Sequence, residues 1–199
     1  MDMKVALSFS GGKDSCLALY RLEQQGYHVV SLITTIWKEK QETVAHGEKL
    51  ERIKKQAERI GIPVHFIETD FAGYTEDFVR TLKDLKTKYE IDSVAFGDIY
   101  LEGHREWGEQ VAEKADVAPI YPLWTEKHKV LDLLREFVAL KFQARVIKVD
   151  NTKLPENWVG RLVDESFIAD ISGKDVCPLG ESGEYHTTVF DGPIFRKQV

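Results

Sequence analysis

Short apolar runs alternate along this chain with stretches whose apolar residues recur every three and four positions, and that alternation leaves few folds open. Residues 4–9, 29–34, 64–67 and 93–98 are the runs, continuous rather than alternating, as in strands buried on both faces. Between them, Cys16, Leu19 and Leu22, then Leu50, Ile53, Ala57 and Ile60, then Phe78, Leu82, Leu85 and Tyr89 each mark one helical face. Parallel strands need covered crossovers, so the pattern predicts an α/β fold: a mostly parallel sheet with helices on both sides. A weaker helical stretch at 107–114 precedes residues 118–124, where Pro119 and Pro122 permit only a short or edge strand. A boundary is expected there, giving a first domain over 1–124 and a smaller α/β unit over 125–199. That unit has an amphipathic helix through Val130, Leu133, Leu134, Phe137 and Leu140, an apolar run at 144–150 and a short helix at 164–171. A glycine-rich loop at 173–183 and a closing strand from Tyr185 complete it.

The charge balance narrows the partners. Lys and Arg total 27 against 33 Asp and Glu, a net −6, with no basic block, which disfavours a module that tracks nucleic-acid phosphates. Cys16 and Cys177 lie far apart with no CxxC pair, so a disulfide scaffold, a redox dithiol and a structural metal site are disfavoured and a cytoplasmic setting is expected. No apolar run approaches the ~18–20 residues of a membrane span, and no targeting segment is read at the N-terminus. Trp37, Trp107, Trp124 and Trp158 are expected in the core.

The sharpest local signal follows the first strand: Ser8, then Ser10-Gly11-Gly12-Lys13-Asp14-Ser15. Adjacent glycines let the backbone turn tightly against a ligand, and the following helix points its unpaired N–H groups and positive dipole end at the same place. Such a site binds anions, and Lys13 with the serine hydroxyls suits pyrophosphate or triphosphate better than carboxylate. The alternative is an ordinary strand-to-helix turn capped by Ser10. A Walker A loop would need glycine at Leu7, and no GxG occurs, which removes the dinucleotide fingerprint.

This hexapeptide resembles the PP-loop of the ATP pyrophosphatases. The resemblance extends, over nearly the whole chain, to the diphthine-ammonia ligase family with its bacterial relatives. It is carried by Ala45-His46-Gly47-Glu48, Phe96-Gly97-Asp98-Ile99 with the charged stretch 102–109, Tyr121-Pro122-Leu123-Trp124, and Gly180-Glu181-Ser182-Gly183-Glu184-Tyr185-His186-Thr187. It implies a HUP-like sheet of five parallel strands in the order 3-2-1-4-5, with ATP across the carboxyl ends of strands 1, 2 and 4. It also implies a nucleotide set of Ser8, Ser10, Gly11, Gly12, Lys13, Asp14, Ser15, Thr34, Thr35, Gly97 and Asp98, with Mg2+ as cofactor. The implied enzyme is a ligase that adenylates a carboxylate, releases pyrophosphate and amidates the carboxylate with ammonia. The acceptor carried over is diphthine on elongation factor 2. The family runs from Cys directly into Gly-Glu, whereas Pro178-Leu179 separate Cys177 from Gly180 here, so no role passes to Cys177.

Weighed residue by residue, Asp98 ends the fourth strand at the switch point of such a sheet, where it either holds Mg2+ and the group being activated or caps the next helix. Asp14 suits a cap and a metal partner equally. Arg105 is the chosen clamp for carboxylate or phosphate among Glu102, Glu106 and Glu109, against the reading of a solvated helix face. His46 is read as an acceptor contact or a surface group. Glu181, Glu184 and His186 are candidates for taking a proton from ammonium, and Gly183 and Thr187 join Glu181 and Glu184 as acceptor contacts; the competing reading is a polar hairpin. A homodimer is expected because small two-domain enzymes often associate. The competing functions are a PP-loop tRNA-modifying enzyme, which predicts a basic surface, and a nucleotide-binding sensor without turnover.

Overall fold

The computed structural model describes residues 3–44 and 46–196, so Ala45 of the Ala-His-Gly-Glu segment lies outside the described residues. β1 (Lys4–Ser8), β2 (His28–Trp37), β3 (Val64–Thr69), β4 (Ser93–Ala95) and β5 (Ala118–Ile120) form one parallel sheet in the expected order β3-β2-β1-β4-β5. Alternation along β1 explains why both faces need helices. Val5 and Leu7 pack with Cys16, Leu19 and Leu22 of α1 (Lys13–Gln24) and Ile53, Ala57 and Ile60 of α2 (Leu50–Ile60). Ala6 points the other way, into Phe78, Leu82 and Leu85 of α3 (Tyr74–Tyr89) and Val111, Ala112 and Ala115 of α4 (Glu102–Ala115). Gly61 ends α2 in the left-handed conformation, φ 84°, its N–H bonded to Ala57 O.

Two boundaries differ from the sequence reading. β4 stops at Ala95, so Gly97 and Asp98 lie beyond it: Phe96 N still reaches Ile120 O at 2.9 Å, but β5 is three residues long with Pro119 inside it, and the ladder ends there. α4 begins at Glu102 rather than near 107. Its buried residues start at Gly108, so its exposed first turn carries no apolar period to read.

The C-terminal part contains α5 (Val130–Ala139), β6 (Gln143–Val149), α6 (Glu165–Ser172) and β7 (Tyr185–Asp191), with β6 and β7 paired antiparallel in a sheet of their own. The strands after residue 124 therefore form a sheet separate from that of the strands before it. One core serves both sheets, because Leu134, Phe137, Phe142, Tyr185 and Val189 belong to the same buried cluster as Leu7 and Leu17. Phe137 and Phe142 stack at 4.7 Å, and Arg21 of α1 reaches across to Glu136 of α5 and to the Pro122 carbonyl. Trp158 is buried in this cluster; Trp37, Trp107 and Trp124 are half-buried. Among the described residues no helix is long and apolar enough to cross a membrane.

Candidate active site

The glycine loop sits at the carboxyl end of β1 and is held from outside the first sheet. The cap of α1 is Gly12, with no side-chain cap, so Ser10 does not play the part an ordinary turn would give it. Instead Thr187 Oγ1 on β7 accepts from Lys13 N at 3.0 Å, and the Gly11 carbonyl accepts from Val189 N at 3.0 Å and from Gln56 Nε2 at 2.9 Å. The Ser10 and Ser15 hydroxyls lie 3.3 Å apart and close the loop on itself. Gly11 is left-handed, φ 76°, and a Cβ there would stand 2.3 Å from Gln56 Oε1. Gly11→Ala is accordingly expected to lose about 2–4 kcal/mol, combining left-handed strain with overpacking; a urea midpoint equal to that of the parent would contradict it.

Beside the loop lies a cleft of about 250 Å³, at the carboxyl ends of β1, β2 and β4. Ser8, Ser10, Lys13, Asp14, Ser15, Thr34, Thr35, His46, Gly97, Asp98, Glu181, Gly183 and His186 all line it, so most of the residues proposed from sequence meet in one place. Lys13 is 3% exposed: its Nζ donates to Asp14 Oδ2 at 3.0 Å and to the Leu179 carbonyl, and lies 4.7 Å from the Tyr185 ring centroid. Burial raises the Asp14 carboxyl above its ordinary range, with Lys13 opposing the rise. Asp14 Oδ1 is buried and has no partner among the described residues.

Asp98, His104 and Glu181 offer ligand atoms that all lie within 4.8 Å of one another. His104 Nδ1 is 3.1 Å from Asp98 Oδ1, and this bond raises the imidazole's pKa. Glu181 Oε1 accepts from Ile99 N at 2.9 Å. Burial nonetheless pushes the Glu181 carboxyl up to about 7, the bond from Ile99 opposing the rise and the charges of Asp14 and Asp98 adding to it. Across the cleft the His46 and His186 rings stand 4.7 Å apart. Burial is the main cause that brings them down to about 3 and about 4, so both are neutral near pH 7. His46 Nδ1 faces the Thr187 carbonyl at 3.2 Å; a carbonyl only accepts, so the proton is assigned to Nδ1 and the lone pair to Nε2.

The remaining sequence candidates stand elsewhere. Gly11 and Gly12 are buried in the loop, and Thr187 braces it from β7. Glu184 is buried and spends both oxygens on its own loop, accepting from Cys177 N at 3.3 Å and Ser182 N at 2.9 Å. Arg105 is not among the residues lining the cleft: it pairs with Glu109 at 2.8 Å and lies 5.1 Å from the Trp124 ring centroid. The Thr34 hydroxyl donates to Phe9 O at 2.6 Å, leaving its backbone as its contribution to the cleft. Sequence reasoning missed Thr43, Tyr74 and His104, which also line the cleft. Of these, His104 alone carried a signal, lying within the charged stretch already singled out.

Comparison with known proteins gives a consistent picture. The family model described as diphthamide synthase N-terminal domain matches residues 3–119, and that described as diphthamide synthase C-terminal domain matches 129–199. The diphthine–ammonia ligase of Homo sapiens is 30% identical, covering 99% of this chain and 82% of the relative; that of Mus musculus is 32% identical over the same shares. A tRNA-specific 2-thiouridylase of Clostridium botulinum is 30% identical over 47% of this chain and 24% of its own.

Proposed function

This chain belongs to the diphthamide synthase family, and on that premise we propose that it is an ATP-dependent amidoligase that forms AMP and pyrophosphate while converting a carboxylate to its amide. The observation that carries the reading is the convergence on one cleft of the Lys13 ammonium and the N-terminus of α1 with the Asp98 and Glu181 carboxylates. A buried cation at a helix N-terminus suits departing pyrophosphate, and a carboxylate titrating near neutrality suits proton transfer from ammonium. An acceptor carboxylate oxygen attacks the α phosphorus of ATP, and the bond to the bridging oxygen of pyrophosphate breaks. Glu181 takes a proton from ammonium; the ammonia nitrogen then bonds to the acyl carbon, AMP leaves with the electron pair of the acyl C–O bond, and the nitrogen sheds one proton to water to give the neutral amide. The acceptor in this reading is diphthine, which the relatives' name contains, carried on elongation factor 2 as the resemblance implies. Residues 1–124 hold the nucleotide and 125–199 face the acceptor.

Mg2+ fits the buried Asp14 Oδ1, which has no partner among the described residues, together with the nearby Asp98 carboxylate, both hard oxygen donors, and this leaves Glu181 to the proton. When bound, it supplies charge neutralisation on the phosphate oxygens. A cytoplasmic homodimer completes the reading, with sedimentation as the check on assembly.

The test is AMP and pyrophosphate formation from Mg-ATP and ammonium with diphthine-bearing elongation factor 2 as acceptor. Acceptor-dependent AMP with amide in the product supports the reading. ATP binding with no AMP from this acceptor contradicts it in favour of a sensor. The tRNA-modifying reading is the weaker of the two: the thiouridylase match, though consistent with it, covers 47% of this chain and 24% of that enzyme, and the net charge is −6.

A further inference from the structure

We propose that Gln56 is a positioning residue for ATP: with β7 it holds the Gly11 carbonyl and thereby aims the Gly12 N–H at the bound phosphates. The inference rests on the reading that the glycine loop holds those phosphates. Gln56 lies on the buried face of α2, 5% exposed among Ile53, Ala57 and Ile60, where the helical period calls for an apolar residue. A buried amide is costly unless paired, and this one is paired on one side only. Nε2 donates to Gly11 O at 2.9 Å and Val189 O at 2.6 Å, while Oε1 has no partner among the described residues. Turning the amide over would set its oxygen against two carbonyl oxygens, so the partners dictate its orientation.

The consequence follows from the peptide plane. In a trans peptide the carbonyl and the N–H point in opposite directions, so a Gly11 carbonyl drawn toward α2 and β7 leaves the Gly12 N–H on the opposite side. There its acceptor is Ser10 Oγ at 3.4 Å, a long bond from a residue that lines the cleft, and a phosphate oxygen is a stronger acceptor. Two adjacent glycines would let this peptide rotate freely; Gln56 and Val189 N remove that freedom before ATP arrives. Gln56 also joins the nucleotide loop to the C-terminal strand, so the second sheet takes part in building the ATP site.

The experiment measures equilibrium binding of ATP and of adenosine, KM for ATP with kcat, and thermal midpoints, for the parent, Gln56→Leu and Gln56→Glu. Loss of one aimed donor to a charged phosphate predicts roughly tenfold weaker ATP binding and a raised KM in Gln56→Leu, with kcat changed less and adenosine binding unchanged. Gln56→Glu separates positioning from folding: its protonated carboxyl keeps one donor and its ionised form keeps none. ATP affinity should therefore fall with rising pH in this variant relative to the parent, even if the leucine variant does not fold. Parental ATP affinity in folded Gln56→Leu, equal losses for ATP and adenosine, or a Gln56→Glu profile parallel to that of the parent would each overturn the proposal. Failure of the parent chain itself to bind ATP would instead overturn the reading of the loop.

Discussion

Lys13→Met is expected to lower acceptor-dependent AMP formation by about 10²–10³-fold, the scale seen when a preorganised charge is removed from a water-poor site. Methionine keeps an unbranched apolar stem and removes the ammonium that now stands over the Tyr185 ring and bonds Asp14 and the Leu179 carbonyl. At 3% exposure that charge is little screened, so its attraction for departing pyrophosphate exceeds what a surface lysine provides. The variant also leaves Asp14 beside Asp98 without its cation, which raises the Asp14 carboxyl further and favours its protonated form. The assay is single-turnover AMP release at saturating ATP, so that weakened binding does not mimic slowed chemistry. A parental rate there would remove Lys13 from the chemical step.

Glu181→Gln carries the second large effect, a loss of about 10²–10⁴-fold in amide formation with the acidic limb of the pH profile removed. With its carboxyl held at about 7, the parent should gain activity as pH rises through that value, tenfold per unit below it and flat above. The glutamine variant should show no inflection there. The same shift has a stability signature. A carboxyl whose folded pKa lies above its unfolded value of about 4.3 destabilises the fold when ionised, and the cost builds between about 4.3 and 7. Glu181→Gln should thus raise the thermal midpoint at pH 8 and leave it unchanged at pH 4. A catalytic loss without that pH-dependent gain would place the effect on geometry rather than on the proton.

The glycine loop and the α/β alternation were legible for a local reason, whereas the strand order came with the family resemblance. Continuous apolar strands, helical periods and Ser10-Gly11-Gly12-Lys13 are each set by neighbours in the chain, and together they point to a mostly parallel sheet covered by helices with an anion site after its first strand. The short β4 and the early start of α4 were illegible, because one depends on Pro119 in a neighbouring strand and the other on a turn that buries nothing. Arg105 and Glu184 show the limit for side chains. Their chemistry suits an acceptor site, yet Glu109 with Trp124 takes the first, and the backbone of 177–182 takes the second.

What local chemistry dictated, then, is the kind of fold and the place where anions bind. What required the folded chain is the division of labour inside the cleft. Gln56 and Thr187 lie far from the loop in sequence and brace it through bonds that only chain closure creates. Glu181 acquires its titration near neutrality from burial beside Asp14 and Asp98, residues far from it in the sequence. A side chain's type sets what it is able to do, whereas its desolvation and its partners, both properties of the tertiary packing, set what it does.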